Sequence, residues 1–125
     1  MKERFSFTLS LEGNVFLTTV RLAVGGIASA AGLDVDSSED LKVCVSESLL
    51  IFRRDGYGEA TACFEVSDDG VRAVISAQGR TAQEDGEDPD NEISYAILGA
   101  LVDEIAFAGR EKGSETPSVS LFKKK

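Results

Sequence analysis

The sequence predicts an α/β (α+β) two-layer sandwich, in which a mixed, mainly antiparallel five-stranded sheet carries three helices on one face. Two observations predict it. Five segments read as strands and three as amphipathic helices, and their order along the chain is β-α-α-β-β-α-β-β. A sheet face and a helix stripe that are each apolar on one side are both buried when stacked as two layers.

The first strand is residues 4–11, where Phe5, Phe7, Leu9 and Leu11 fall on one side with period two. From 14 to 31 the period lengthens, with Phe16, Val20, Val24, Ile27 and Ala31 recurring every three or four residues up to Gly32. Gly25 and Gly26 each weaken that helix by roughly 1 kcal/mol relative to Ala, so close packing of another element is expected there. Asp36-Ser37-Ser38-Glu39 reads as the start of a second helix running to Arg54, with Leu41, Cys44, Val45, Ser48, Leu49 and Phe52 as its buried stripe. Strands at 60–66 and 71–77 flank a hairpin turn at Ser67-Asp68-Asp69-Gly70.

Residues 78–91 lack an apolar period and carry five acidic groups against one Arg, which predicts a long, mobile polar loop. The third helix follows, with Ile93, Ile97, Ala100, Leu101 and Ile105 assigned to its apolar face. A last hairpin spans about 104–109 and 117–122 and turns through Gly109–Gly113, and Lys123-Lys124-Lys125 reads as a solvated end.

Composition narrows the function classes. The 125 residues make one domain, 1–125, expected to bury roughly two thirds of its unfolded surface. A net charge of −9 argues against nucleic acid and anionic membranes as partners, because no excess of Lys or Arg is available for phosphates. With no His and two Cys, no metal site is expected, and Cys44 and Cys63 read as small buried thiols. The N-terminus Met1-Lys2-Glu3-Arg4-Phe5 lacks a signal-peptide apolar run and no stretch reaches 18 apolar residues, so a cytoplasmic protein is expected.

Two helical segments carry a family resemblance. Val20-Arg21-Leu22-Ala23-Val24-Gly25-Gly26-Ile27-Ala28-Ser29 resembles the first helix of the RsbW-type anti-sigma serine kinases, bacterial members of the GHKL (histidine kinase-like) ATPase superfamily. Glu39-Asp40-Leu41-Lys42-Val43-Cys44-Val45-Ser46-Glu47 resembles their second helix, and Leu101-Val102-Asp103-Glu104-Ile105 the end of their third. The resemblance covers about 5–122 and implies the histidine kinase-like ATPase fold.

It also implies an ATP site, with a helix Glu as general base and an Asn four residues on holding magnesium. An Asp-x-Gly turn receives the adenine amino group, and a glycine-rich start of the last helix meets the phosphates. Little of this is kept. Glu47 stands at the Glu position, but Ile51 stands where the Asn belongs and has no oxygen for magnesium. Ala77-Gln78-Gly79 keeps the glycine and loses the carboxylate, and Asn91-Glu92-Ile93-Ser94 replaces the glycine-rich turn, with Glu92 placed to repel a phosphate. Glu47 and Gly79 are therefore vestigial nucleotide-site positions, and Ile51 and Ala77 mark the losses. Glu47 reads first as a hydrogen-bonded helix carboxylate and secondly as a surviving catalytic base. Gly79 reads as a residue that shapes the turn. Arg21 reads as an exposed helix charge or, since the resemblance implies protein contacts along the first helix, as a partner contact.

The expectation is a regulatory protein-binding domain, a pseudo-kinase of the anti-sigma factor type acting in transcription regulation or partner switching, with no cofactor. The implied partner is a sigma factor or a STAS-type antagonist, or a second copy of this chain. The alternative is an active serine/threonine kinase that binds ATP and magnesium through an unorthodox site.

Overall fold

A computed structural model of the chain describes residues 2–80, 89–109 and 117–125. The element order is β1 (Glu3–Ser10), α1 (Val15–Ala30), α2 (Val35–Arg54), β2 (Tyr57–Ser67), β3 (Gly70–Arg80), α3 (Pro89–Leu101), β4 (Glu104–Ala108) and β5 (Ser118–Lys124). The strands form one sheet in the order β1-β2-β3-β5-β4, and all four ladders are antiparallel, the limiting case of the mainly antiparallel sheet expected.

One face of the sheet is apolar because the strands alternate. Ala60, Ala62, Phe64 and Val66 of β2, Val71, Ala73, Ile75 and Ala77 of β3, and Val119 and Leu121 of β5 are all buried. Against them lies the stripe of α2, with Leu41, Cys44, Val45, Ser48, Leu49 and Phe52 buried as the spacing predicted. The helix α2 packs on β2, β3 and β5, with α1 and α3 on either side of it. The α1 stripe is likewise the predicted one, Phe16, Val20, Val24, Ile27 and Ala31. Its end is a Schellman turn: Gly32 adopts φ +78, Leu33 N–H donates to Ala28 O at 3.1 Å, and Gly32 N–H donates to Ser29 O at 3.0 Å.

The α2 start lies two residues earlier than expected. Its cap is Asp34, whose carboxylate accepts from Ser37 N–H at 2.7 Å, while Asp36 sits inside the first turn. That backbone bond is the main cause of a lowered Asp34 pKa, so the cap strengthens above the ordinary value of 3.8 and weakens as acid protonates it. Close packing requires neither Gly25 nor Gly26: a Cβ at Gly25 would meet only the flexible end of the Lys42 side chain, Cε at 2.8 Å, which can shift aside, and nothing lies within 4 Å of one at Gly26. Gly70 is required: a Cβ would fall 2.1 Å from Lys123 O on the neighbouring strand.

The cysteines separate. Cys44 is buried in α2, whereas Cys63 alternates with Ala62 and Phe64 and is exposed on the open sheet face, against the expectation that both are buried. Burial first, then the nearby Asp40 carboxylate, pushes the Cys44 thiol up to about 12. A thiol reagent at neutral pH should therefore label Cys63 in the folded protein and reach Cys44 only on unfolding. Mass spectrometry of labelled peptides checks this, and equal labelling of both would contradict it.

The expected loop at 78–91 is shorter among the described residues, because Gln78 pairs with Glu59 and Arg80 with Tyr57 in the β2–β3 ladder, and Pro89 already opens α3. Residues 81–88, and with them the predicted mobility, lie outside the described residues, as does most of the Gly109–Gly113 turn. Lys123 and Lys124 are not a free tail but belong to β5.

Candidate functional site

The seam between α2 and α3 brings together Glu47, Ile51 and the 91–94 segment, whereas Ala77 and Gly79 stand apart on β3. Positions 47, 51 and 54 follow at i, i+4 and i+7 and share one side of α2. From the other helix the inward residues are Asn91, Ser94 and Leu98, at i, i+3 and i+7. This corrects the predicted α3 face: Ile93 is 63% exposed, Ala100 is exposed, and Ile105 lies in β4. The inner side of α3 is polar because its hydrogen-bond partners are on α2.

Those partners form a chain. Ser94 Oγ donates to Glu47 Oε2 at 2.6 Å and accepts from Arg54 Nη1 at 2.8 Å. The same guanidinium nitrogen reaches Asn91 Oδ1 at 3.3 Å and Asp90 O at 3.5 Å, and Asn91 Nδ2 donates to Asp55 Oδ1 at 3.0 Å. Asn91 and Ser94 are buried to 4% and 1% exposure, so these bonds satisfy groups that water does not reach. Glu47 is thus a hydrogen-bonded, half-buried carboxylate aimed at α3.

The other positions are set by the sheet and the core. Ile51 is 4% exposed and belongs to the hydrophobic core. Ala77 is fully buried opposite Ala60, and its N–H donates to Pro117 O at 3.0 Å. Neither brings an oxygen-bearing side chain to the seam. Gly79 takes φ +70 near the end of β3, a backbone conformation that suits glycine, and so shapes the strand end. Glu92 lies exposed in the first turn of α3, where a carboxylate complements the helix dipole.

Arg21 lies elsewhere, on the outer side of the α1–α2 pair. It is exposed and has no hydrogen bond or ion pair among the described residues. It lines a hollow of about 220 Å³ with Leu17, Thr18, Val43, Ser46, Glu47 and Leu50, so Glu47 is shared between this hollow and the α3 seam. The hydroxyl of Ser46 is buried there without a hydrogen-bond partner among the described residues. Such an orphan costs about 1–3 kcal/mol unless something bonds to it.

Arg54, Asn91 and Ser94 were missed as members of the seam by sequence reasoning. The available signal was a polar pair at i, i+3 facing an arginine seven residues beyond Glu47.

Among the described residues no helix is long and apolar enough to cross a membrane. No protein-family model matches the chain. Curated relatives do. Serine-protein kinase RsbW of Staphylococcus epidermidis is 28% identical over 130 aligned positions, covering 87% of this chain and 81% of that protein. RsbW of a Bacillus licheniformis strain is 30% identical, with 75% and 61% covered. RsbW of Bacillus subtilis is 29% identical, with 60% and 50% covered.

Proposed function

We propose that this chain, a relative of the RsbW-type serine-protein kinases, is a regulatory domain that binds another protein and neither binds nor hydrolyses ATP. One observation carries the reading. The seam where the resemblance puts the nucleotide holds a buried isoleucine at the metal-ligand position, and its polar groups are spent on one another. A magnesium–ATP complex needs an oxygen at position 51, a carboxylate at position 77 and backbone N–H groups at a glycine-rich helix start. The residues present do not fit it. Glu47 is an acceptor for Ser94 rather than a base awaiting substrate.

The partner surface in this reading is the outer side of α1 with the hollow behind it. Arg21 is free to hold a carboxylate bidentately, and Gly26 leaves the helix bare, with no packing of its own to require the glycine. The orphan Ser46 hydroxyl offers a bond to whatever enters the hollow. The partner is a sigma factor, a STAS-type antagonist or a second copy of this chain, with partner switching in transcription regulation as the setting.

Titration calorimetry with magnesium and ATP at roughly millimolar levels, the weak-affinity regime, should give no saturable heat. A dissociation constant in the micromolar range would overturn the reading in favour of an active kinase with an unorthodox site.

A further inference from the structure

The helix α3 is held differently from the other two. Of its thirteen residues only Asn91, Ser94 and Leu98 are buried, and two of those three are polar, while Tyr95 and Leu101 pack against the core only in part. By contrast α1 buries Phe16, Val20, Val24, Ile27 and Ala28, and α2 buries eight residues. The packing of α3 is on α2, with a smaller contact to β4. A helix with so little apolar burial has a weak non-directional hold on its neighbours.

Polar bridges stand at both of its ends. At the N-terminal end Arg54 of α2 bonds Ser94 Oγ and Asn91 Oδ1, with Glu47 accepting from Ser94. At the C-terminal end Lys123 Nζ donates to Leu101 O at 2.8 Å, capping a terminal carbonyl, and pairs with Asp40 Oδ2 of α2 at 3.2 Å. The Lys123 side chain is 14% exposed, so this pair is only lightly screened by water. Each bridge reaches back to α2, and each is directional, so each is lost as a unit when its geometry breaks.

We propose that α3 is a separately releasable element, held over the seam by two polar clamps, Arg54 at one end and Lys123 with Asp40 at the other. When the clamps release, α3 lifts from α2 while the sheet, α1 and α2 stay folded, and Glu47 is freed from Ser94. This inference stands whether or not the partner surface on α1 is correct, because it rests on the α2–α3 seam alone.

Hydrogen exchange read by mass spectrometry tests it on the full chain. Arg54→Met should raise amide exchange across 91–101 at least tenfold while peptides from β2, β3 and α2 keep their protection. Lys123→Met should do the same, most strongly near Leu101. Ser94→Ala, a smaller change that removes the link to Glu47, should raise α3 exchange by a few-fold and serves if the Arg54 variant does not fold. Unchanged α3 exchange in the variants would overturn the proposal. So would exchange that rises equally in α3 and the sheet, which would mean that α3 opens only with the whole molecule.

Discussion

Replacing Ile51 with asparagine should lower the unfolding free energy by about 3 kcal/mol or more and should not create an ATP site. Ile51 is 4% exposed in the core, so the substitution removes roughly 1.5–3 kcal/mol of apolar burial. It also places an amide among hydrocarbon, at about 1–3 kcal/mol for the unpaired group. Restoring the residue type implied for magnesium restores neither the adenine acceptor missing at Ala77 nor the glycines missing around 91–94. Urea unfolding of the variant with and without magnesium and ATP measures both parts. A nucleotide-dependent rise in its midpoint would show that the seam still accepts ATP and would contradict the proposed function.

Replacing Arg21 with glutamate should weaken partner binding by about 2 kcal/mol, roughly thirtyfold, and leave the melting temperature nearly unchanged. The two readouts separate because Arg21 is exposed and makes no hydrogen bond or ion pair among the described residues, so folding gains nothing from it. At a partner surface, reversal does more than delete a contact, since it sets a carboxylate against the group that the guanidinium held. Central arginines at interfaces often dominate binding in this way. Pull-down of a co-purified protein, or light scattering for self-association, gives the result. Equal association with and without Arg21→Glu would move the binding surface away from α1 and leave the absence of ATP chemistry untouched.

The layers were legible because they rest on periodicity. The stripes of α1 and α2 repeat every three or four residues, and β2 and β3 alternate around Ser67–Gly70, so hydrophobic burial alone determines which side faces in. What failed did so where burial was not the deciding force. The inner side of α3 carries Asn91 and Ser94, and a search for apolar period turns the helix outside in, toward Ile93 and Ala100. The α2 cap is expected at Asp36 because Glu39 follows it three residues on, whereas the bond actually made, from Ser37 N–H, goes to Asp34. Cys63 looked buried because it sits among apolar neighbours, yet in a strand neighbours point to opposite faces. At the site, Glu47 was legible only through the resemblance. Its bond to Ser94 joins residues far apart in sequence, which no local pattern reveals.

The strand order β1-β2-β3-β5-β4 also governs how the chain can assemble. Only two of its four ladders join strands with no helix between them: β2 with β3 through Asp68-Asp69, and β4 with β5. The β1–β2 ladder closes only after α1 and α2 have been spanned, and the β3–β5 ladder only after α3 and β4. Each closure spends chain entropy before its contacts reward it, which places such a mixed topology between the fast helical bundles and the slow all-β domains. The β2–β3 hairpin and the α1–α2 pair are the pieces that can form early, because both are local. Strand β1, waiting at one edge, and β5, waiting for its place beside β3, are the pieces whose absence leaves unpaired backbone exposed during that interval.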